Sequence, residues 1–407
     1  MALDLTETAL LLDKIAIDIG NTQKESDLRL RSAIEKINNF DEHRFAEDLR
    51  NSSDVFNWTS PDFPSRPYAS TPPSILPEDY WVVGVDGSHI DVNRHIPIRC
   101  FLVNTGTVKI RYGASPEADF SSNPSLYFGV NETYISDPSH PNRSIAIQGT
   151  ILGAVRAVKE MKALADAIEK LQASDPHIPV LGLIDGTLLM LDLLRAGIPD
   201  FVLENILENG FLKELGRLKE LSKKGKVLLA SYISLPASTE VMDGVRLLAC
   251  PYSIADCSLK CGEKLAGERP CDGFALNLLD RNLYSSVLKQ GHRSDLYASN
   301  SRLVRNYYED NQINFFYMNT GDEIARVEMP SWVSQDQDNL QLIHSIIYSQ
   351  CRSGMGYPTS LMEAHEQAVI STADRGYFLN LIEEVVESQN MSFFTSRKDH
   401  SKRVRWL

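Results

Sequence analysis

The stretch Trp81-Val82-Val83-Gly84-Val85-Asp86-Gly87-Ser88 decides how the rest of the chain is read. Its apolar run does not alternate with polar residues, so it reads as a strand covered on both faces. Asp86-Gly87-Ser88 then stops the run with a carboxylate. Strands covered on both faces belong to α/β sheets, and their ends are where such sheets present side chains to a ligand. The pattern returns at Val180 to Ile184, followed by Asp185-Gly186-Thr187. Either Asp-Gly pair alone is a common turn signal. Two of them ending neighbouring buried strands set two carboxylates side by side, and such a pair repels unless a cation sits between them.

Working outward, 97–104 and 107–112 read as strands around Thr105-Gly106, which predicts a hairpin. The polar stretch from there to Arg143 reads as a loop. A long helix is expected over 144–173, a helix over 201–223, a strand over 227–233 and a short helix over 238–248. Three strands followed by alternation with helices imply a mixed central sheet flanked by helices, the order of a ribonuclease-H-like α/β core. Candidate strands at 315–319 and 324–329 and C-terminal helices at 338–350, 360–372 and 374–389 complete it. Ahead of the core, Leu10, Leu11, Ile15, Leu28, Leu30, Ile34 and Ile37 recur at helical spacing, predicting an N-terminal helical arm over 1–50 for packing or oligomerisation. Residues 51–80, with Pro61, Pro64, Pro67, Pro72, Pro73 and Pro77, predict a linker or irregular wrap. The expected organisation is therefore arm 1–50, linker 51–80, a main domain 81–390 and a basic tail 391–407.

Composition narrows the function. The chain has 407 residues, 43% hydrophobic and 23% charged, enough to bury a sizeable core. Its formal charge of −13 argues against a passive nucleic-acid binder but not against an enzyme that meets phosphates through cations or a local basic patch. Arg397, Lys398, Lys402, Arg403 and Arg405 form one candidate patch for DNA, with a solvated tail as the alternative. No apolar run is long enough to cross a bilayer and no secretion signal opens the chain, so a cytoplasmic protein without membrane contact is expected. Cys250, Cys257, Cys261 and Cys271 match no paired Cys-x-x-Cys zinc pattern; buried thiols are favoured over a structural zinc.

A third acid would complete a cage for magnesium or manganese. The helix over 144–173 offers Glu160, Asp166 and Glu169. Its apolar stripe runs through Ile147, Ile151, Ala154, Val158, Met161 and Ile168, with Glu160 at one edge, Glu169 at the other and Asp166 on the solvent side. Glu160 is chosen and Glu169 held in reserve. Later, Tyr357 precedes a helix capped by Ser360 that carries His365, which could ligate a metal or move a proton.

These segments resemble the NurA nuclease family: Val83 to Ser88, the helix carrying Glu160, Leu183 to Leu188, Tyr232-Ile233-Ser234, and Tyr357 to His365, in one order across 81–388. The resemblance implies a ribonuclease-H-like fold and manganese-dependent cleavage of single- and double-stranded DNA, both endonucleolytic and 5′-to-3′ exonucleolytic. It also implies a homodimer working with a hexameric HerA-type ATPase at broken DNA ends. By this likeness Asp86, Glu160 and Asp185 correspond to the acidic site, joined by Tyr357 and His365. Two rival readings remain. An actin- or sugar-kinase-like phosphotransferase would need a glycine-rich adenosine turn, where this chain has only isolated glycines such as Gly354 and Gly356. A non-catalytic scaffold on a DNA motor would have no use for a cage of carboxylates, which costs stability when idle.

Overall fold

The computed structural model describes residues 4–64, 67, 69–91, 99–195, 197–301 and 304–389. Helices α1 (Leu5–Asn38) and α2 (Glu42–Ser52) precede strands β1 (Tyr80–Ile90), β2 (Cys100–Tyr112) and β3 (Glu117–Phe128). Two short strands, Tyr134–Ser136 and Ser144–Ala146, pair antiparallel ahead of α3 (Thr150–Ser174). Next come β4 (Val180–Asp185), the helical run α4 (200–222), β5 (Val227–Ile233), α5 (Glu240–Leu248) and α6 (Asp280–Val287). Strands β6 (Tyr297–Ala298), β7 (Ile313–Asn319) and β8 (Ile324–Pro330) follow, then helices α7 (Gln337–Ser353), α8 (Thr359–Ala368) and α9 (Thr372–Ser388). Two compact units are built from this chain. The first draws on 1–73, 233–305 and 312–327, the second on 74–232, 306–311 and the residues from 328 onward.

In the second unit the sheet order is β3-β2-β1-β4-β5. β1 and β2 pair antiparallel, as do β2 and β3, whereas β1, β4 and β5 run parallel. Val82, Val83 and Val85 on β1 and Leu181 and Leu183 on β4 are fully buried, as expected for a strand pair covered on both faces. Helix α3 packs against β1, β2 and β4, and α8 packs against β1 and β2. Glycines set how close α8 comes. A Cβ on Gly84 would lie 2.3 Å from the carbonyl oxygen of Ser360, and one on Gly106 would lie 2.3 Å from that of Ala364. Both positions sit on one face, because Asp86 is registered opposite Gly106 and Gly84 opposite Val108. The helix backbone therefore rests directly on the strands.

The first unit has its own core, in which Ala33 and Ile37 of α1 meet Val241, Met242 and Val245 of α5 and Tyr284, Tyr297, Phe315 and Tyr317. Phe56 and Phe63 are buried there too, so this part of the 51–80 stretch is an irregular wrap rather than a free linker. The earlier half of α1 leaves Leu5, Leu10, Leu11, Leu12, Ile15 and Ile19 exposed.

Several local expectations are corrected. Thr105-Gly106 is not a hairpin turn: β2 continues through it, with Gly106 paired to Asp86 on one side and Ser122 on the other. The glycine marks the close approach of a helix, the other meaning of Gly inside a strand. The chain reverses instead after Gly113, and 117–128, expected as loop, forms β3. This strand lies at the sheet's edge with most residues exposed and Pro124 within it, so it lacks the burial alternation by which strands are recognised. The long helix begins at Thr150 rather than 144. Asp86-Gly87-Ser88 does not stop β1: the strand stays paired to β2 through these residues as far as Ile90, so Asp86 lies within it, whereas Asp185 does end β4. Among the described residues no helix is long and apolar enough to cross a membrane.

Overpacking predicts that Gly106→Ala, which drives a methyl into the α8 backbone, destabilises the protein by roughly 2 kcal/mol in urea unfolding. Gly216→Ala, in α4 with open space around it, stabilises by about 0.5–1 kcal/mol in the same assay. Equal effects at the two sites would refute the close-approach argument.

Candidate active site

The parallel register pairs Val85 with Ile184, so Asp86 and Asp185 stand one step further on, neighbours on the same face. Asp86 is held from two directions. Its Oδ1 accepts the Gly87 N–H at 2.7 Å, and its Oδ2 lies 2.7 Å from His365 Nδ1. His365 reaches it because α8 lies so close on β1 and β2; the imidazole itself is well exposed. The Tyr357 hydroxyl hydrogen-bonds the Asp185 carboxylate. Tyr357 is held by Tyr232 of β5, ring edge to ring face with centroids 5.4 Å apart. Tyr232 sits opposite Asp185 in the register.

Glu160 approaches from the other helix. It is buried, and its Oε1 lies 2.4 Å from where a Cβ on Gly87 would be, so only glycine leaves it room. Arg156, one turn earlier on α3, places its Nε 3.1 Å from Glu160 Oε1 and donates from Nη1 to the Gly87 carbonyl at 3.1 Å. The Arg156–Glu160 contact is an ion pair outside hydrogen-bond geometry, leaving Glu160 Oε1 buried without a hydrogen-bond donor. Burial pushes the Glu160 carboxyl up to about 7; Arg156 opposes this, while Asp86 and Asp185 reinforce it. Asp185 stands at an open cleft of about 450 Å³ that also borders Arg156 and Glu160. The protein packed around its carboxyl still raises its pKa, against the Tyr357 hydrogen bond and with the repulsion of Asp86.

The structure thus brings together the five residues singled out from sequence. It sets aside the reserve: Glu169 and Asp166 both pair with Arg217 on α4. Arg156 was missed, although a cation four residues before a candidate acid is a readable helix pairing. Glu328 was missed too. Its fully buried carboxylate accepts from Thr187 Oγ1 at 2.8 Å and from the Leu188 N–H at 2.9 Å, fixing the turn that follows Asp185. No local pattern announces it, since it lies in β8, far along the chain. The basic residues Arg397, Lys398, Lys402, Arg403 and Arg405 lie outside the described residues.

Each acid is engaged by a protein partner, and among the described residues no three His, Cys, Asp or Glu side chains already form a coordination sphere. The chemistry of the set nonetheless suits a hard divalent ion. It offers carboxylate oxygens, a mutual repulsion that a cation relieves, and a buried oxygen without a donor. The cysteines do not make a comparable case for zinc: Cys250, Cys257, Cys261 and Cys271 are free thiols around a small pocket in the first unit.

The sign of the Glu160 shift sets a pH dependence. The folded state holds this proton up to about pH 7, while the unfolded chain releases it near 4.5, so stability falls as pH rises between these values. The loss is about 3 kcal/mol for a buried group. Glu160→Gln is expected to flatten that slope in melts of the metal-free protein between pH 4.5 and 8. An unchanged slope would mean that Glu160 is not strained.

The NurA domain profile matches residues 81–370, which span both acid-bearing strands, α3 and α8. No curated protein matches the chain. Among solved structures, a crystal structure of NurA is 13% identical, covering 77% of this chain and 90% of that one with a TM-score of 0.39. NurA bound to dAMP and manganese is 13% identical, with coverage of 94% and 98% and a TM-score of 0.38. NurA with manganese is 14% identical, with coverage of 83% and 96% and a TM-score of 0.34. These overlays are loose, and the assignment rests on the profile, which covers well over half of the sequence: the chain belongs to the NurA family.

Proposed function

We propose that this NurA-family protein is a metal-dependent DNA nuclease, acting as an endonuclease and a 5′-to-3′ exonuclease on single- and double-stranded DNA. The observation that carries the reading is the convergence of Asp86, Asp185 and Glu160, with Glu160 pressed against a glycine and raised to about pH 7 by its surroundings. The antiparallel β3-β2-β1 followed by parallel β4 and β5 agrees with a ribonuclease-H-like core.

Asp86, Asp185 and Glu160 would hold the ion, manganese by preference and magnesium as the substitute, with His365 beside them. A bound divalent ion supplies positive charge at the scissile phosphate and acidifies the attacking water. The chain's own residues do the rest. His365, hydrogen-bonded to Asp86 and open to solvent, is placed to take up or deliver a proton. Tyr357 orients the Asp185 carboxylate from a ring braced by Tyr232. Arg156 offsets the charge of Glu160, and Glu328 keeps the turn after Asp185 in place.

Action in the repair of broken DNA ends, beside a hexameric HerA-type ATPase, extends the reading. Delivery of DNA by such a motor reconciles cleavage with a formal charge of −13. The exposed leucines and isoleucines of α1 supply apolar surface for the homodimer that goes with it.

The test is cleavage of end-labelled linear DNA with manganese, magnesium or EDTA, with and without the ATPase. Asp86→Ala and Asp185→Ala are expected to abolish manganese-dependent cleavage, and His365→Ala to lower it by about 10²-fold or more. Wild-type protein inert with every metal and DNA form, motor included, would sink the nuclease reading.

A further inference from the structure

A second groove in the same unit runs alongside α3, on the flank away from the acid cleft. It encloses about 340 Å³. Its floor is the β2–β3 part of the sheet, where Thr105, Thr107, Ser121 and Asn123 supply hydroxyl and amide groups; its wall is α3, where Lys159, Lys162 and Lys170 line one side. A sheet floor beside a helix is ordinarily apolar, so hydroxyls and lysines here need a reason.

The groove's charge is not spent internally. Asp166, the acid on this flank of α3, is taken by Arg217, and Asp119 is taken by Lys109. No carboxylate among the described residues pairs with Lys159, Lys162 or Lys170; Lys159 rests over the Tyr127 ring, and the other two are exposed. In a chain of charge −13, a run of unpaired lysines over hydroxyl groups is a local site for anions. From Lys159 to Lys170 the helix rises about 16 Å. At the stacked rise of about 3.4 Å per nucleotide that spans at most four or five nucleotides, and fewer of an extended strand, a length suited to several phosphates rather than to one.

The register joins the groove to the acids. Asn123, Thr105 and Gly87 form one row across β3, β2 and β1, and Gly87 is the residue against which Glu160 is seated. Lys159 is the neighbour of Glu160 in sequence.

We propose that this groove binds the sugar-phosphate backbone of a single DNA strand and leads it to the acid cluster. Lysines bind the phosphates as point charges, and the Thr, Ser and Asn groups hydrogen-bond phosphate and sugar oxygens without reading sequence. The choice of DNA rests on the nuclease reading; the anion site does not.

The experiment is fluorescence anisotropy with a labelled oligothymidylate in EDTA, over a series of NaCl concentrations. Lys159→Ala/Lys162→Ala/Lys170→Ala is expected to weaken binding at least tenfold at low salt and to reduce the log–log salt slope by about 2. The double variant at the two exposed positions, Lys162→Ala/Lys170→Ala, should reduce it by about 1.4, so the result does not hang on the half-buried Lys159. Arginine at all three positions should retain wild-type binding. Alanine at Lys223 and Lys224, on the surface elsewhere, should leave the slope unchanged. A wild type that does not bind the oligonucleotide, or slopes alike in wild type and double variant, would overturn the groove. Because no cleavage occurs in EDTA, binding through these lysines by a protein inert with every metal would remove the nuclease reading and keep the groove.

Discussion

The site depends on backbone-to-backbone contact at strand β1, gripped from both faces where it has no side chains. On one face α8 lies on Gly84 and on Gly106 of the neighbouring strand, close enough that its carbonyl oxygens occupy the space of a Cβ. On the other, the Glu160 carboxylate fills the corresponding space at Gly87. Interiors pack at the density of organic crystals, so helices that settle this deeply have little freedom to slide. The gain is positional accuracy. His365 comes within 2.7 Å of Asp86 from a helix more than 250 residues away in sequence, without a loop to blur the distance.

That accuracy has an electrostatic cost. Three carboxylates are brought into one neighbourhood, with Glu160 deep enough that its charged form is disfavoured even beside Arg156. Hydrogen bonds from Gly87 and Tyr357 ease Asp86 and Asp185. No such donor reaches Glu160 Oε1. A structure optimised for its own stability would not keep this arrangement; one awaiting a cation gains from it, because what destabilises the free protein strengthens the hold on the ion.

How much of this the sequence discloses follows from which contacts are local. Asp86 and Asp185 were legible because each interrupts an apolar run, and the strand elements around them were found within a few residues. Helical angle narrowed the third acid to Glu160 or Glu169, since a residue bordering the buried stripe can turn inward, and the pairing of Glu169 with Arg217 that separates them is a contact between helices. The edge strand β3 was not, because two-sided exposure removes the alternation that marks a strand. Gly106 was misread for a related reason: glycine signals either a turn or a close neighbour, and the neighbour, α8, lies far off in the chain. Glu328 is the limiting case, a buried acid whose partners at Thr187 and Leu188 exist only once the chain is folded.

The seat of Glu160 against Gly87 also says something about this chain's relatives. A single methyl group at that position would meet the carboxylate at 2.4 Å and displace the acid while leaving both aspartates, the histidine and the tyrosine unchanged in sequence. A homologue could therefore keep every residue of the acidic set and still lose the seat of its glutamate, betrayed only by an alanine or serine where this chain has glycine. Sorting a family of such proteins by its charged residues alone would miss that loss.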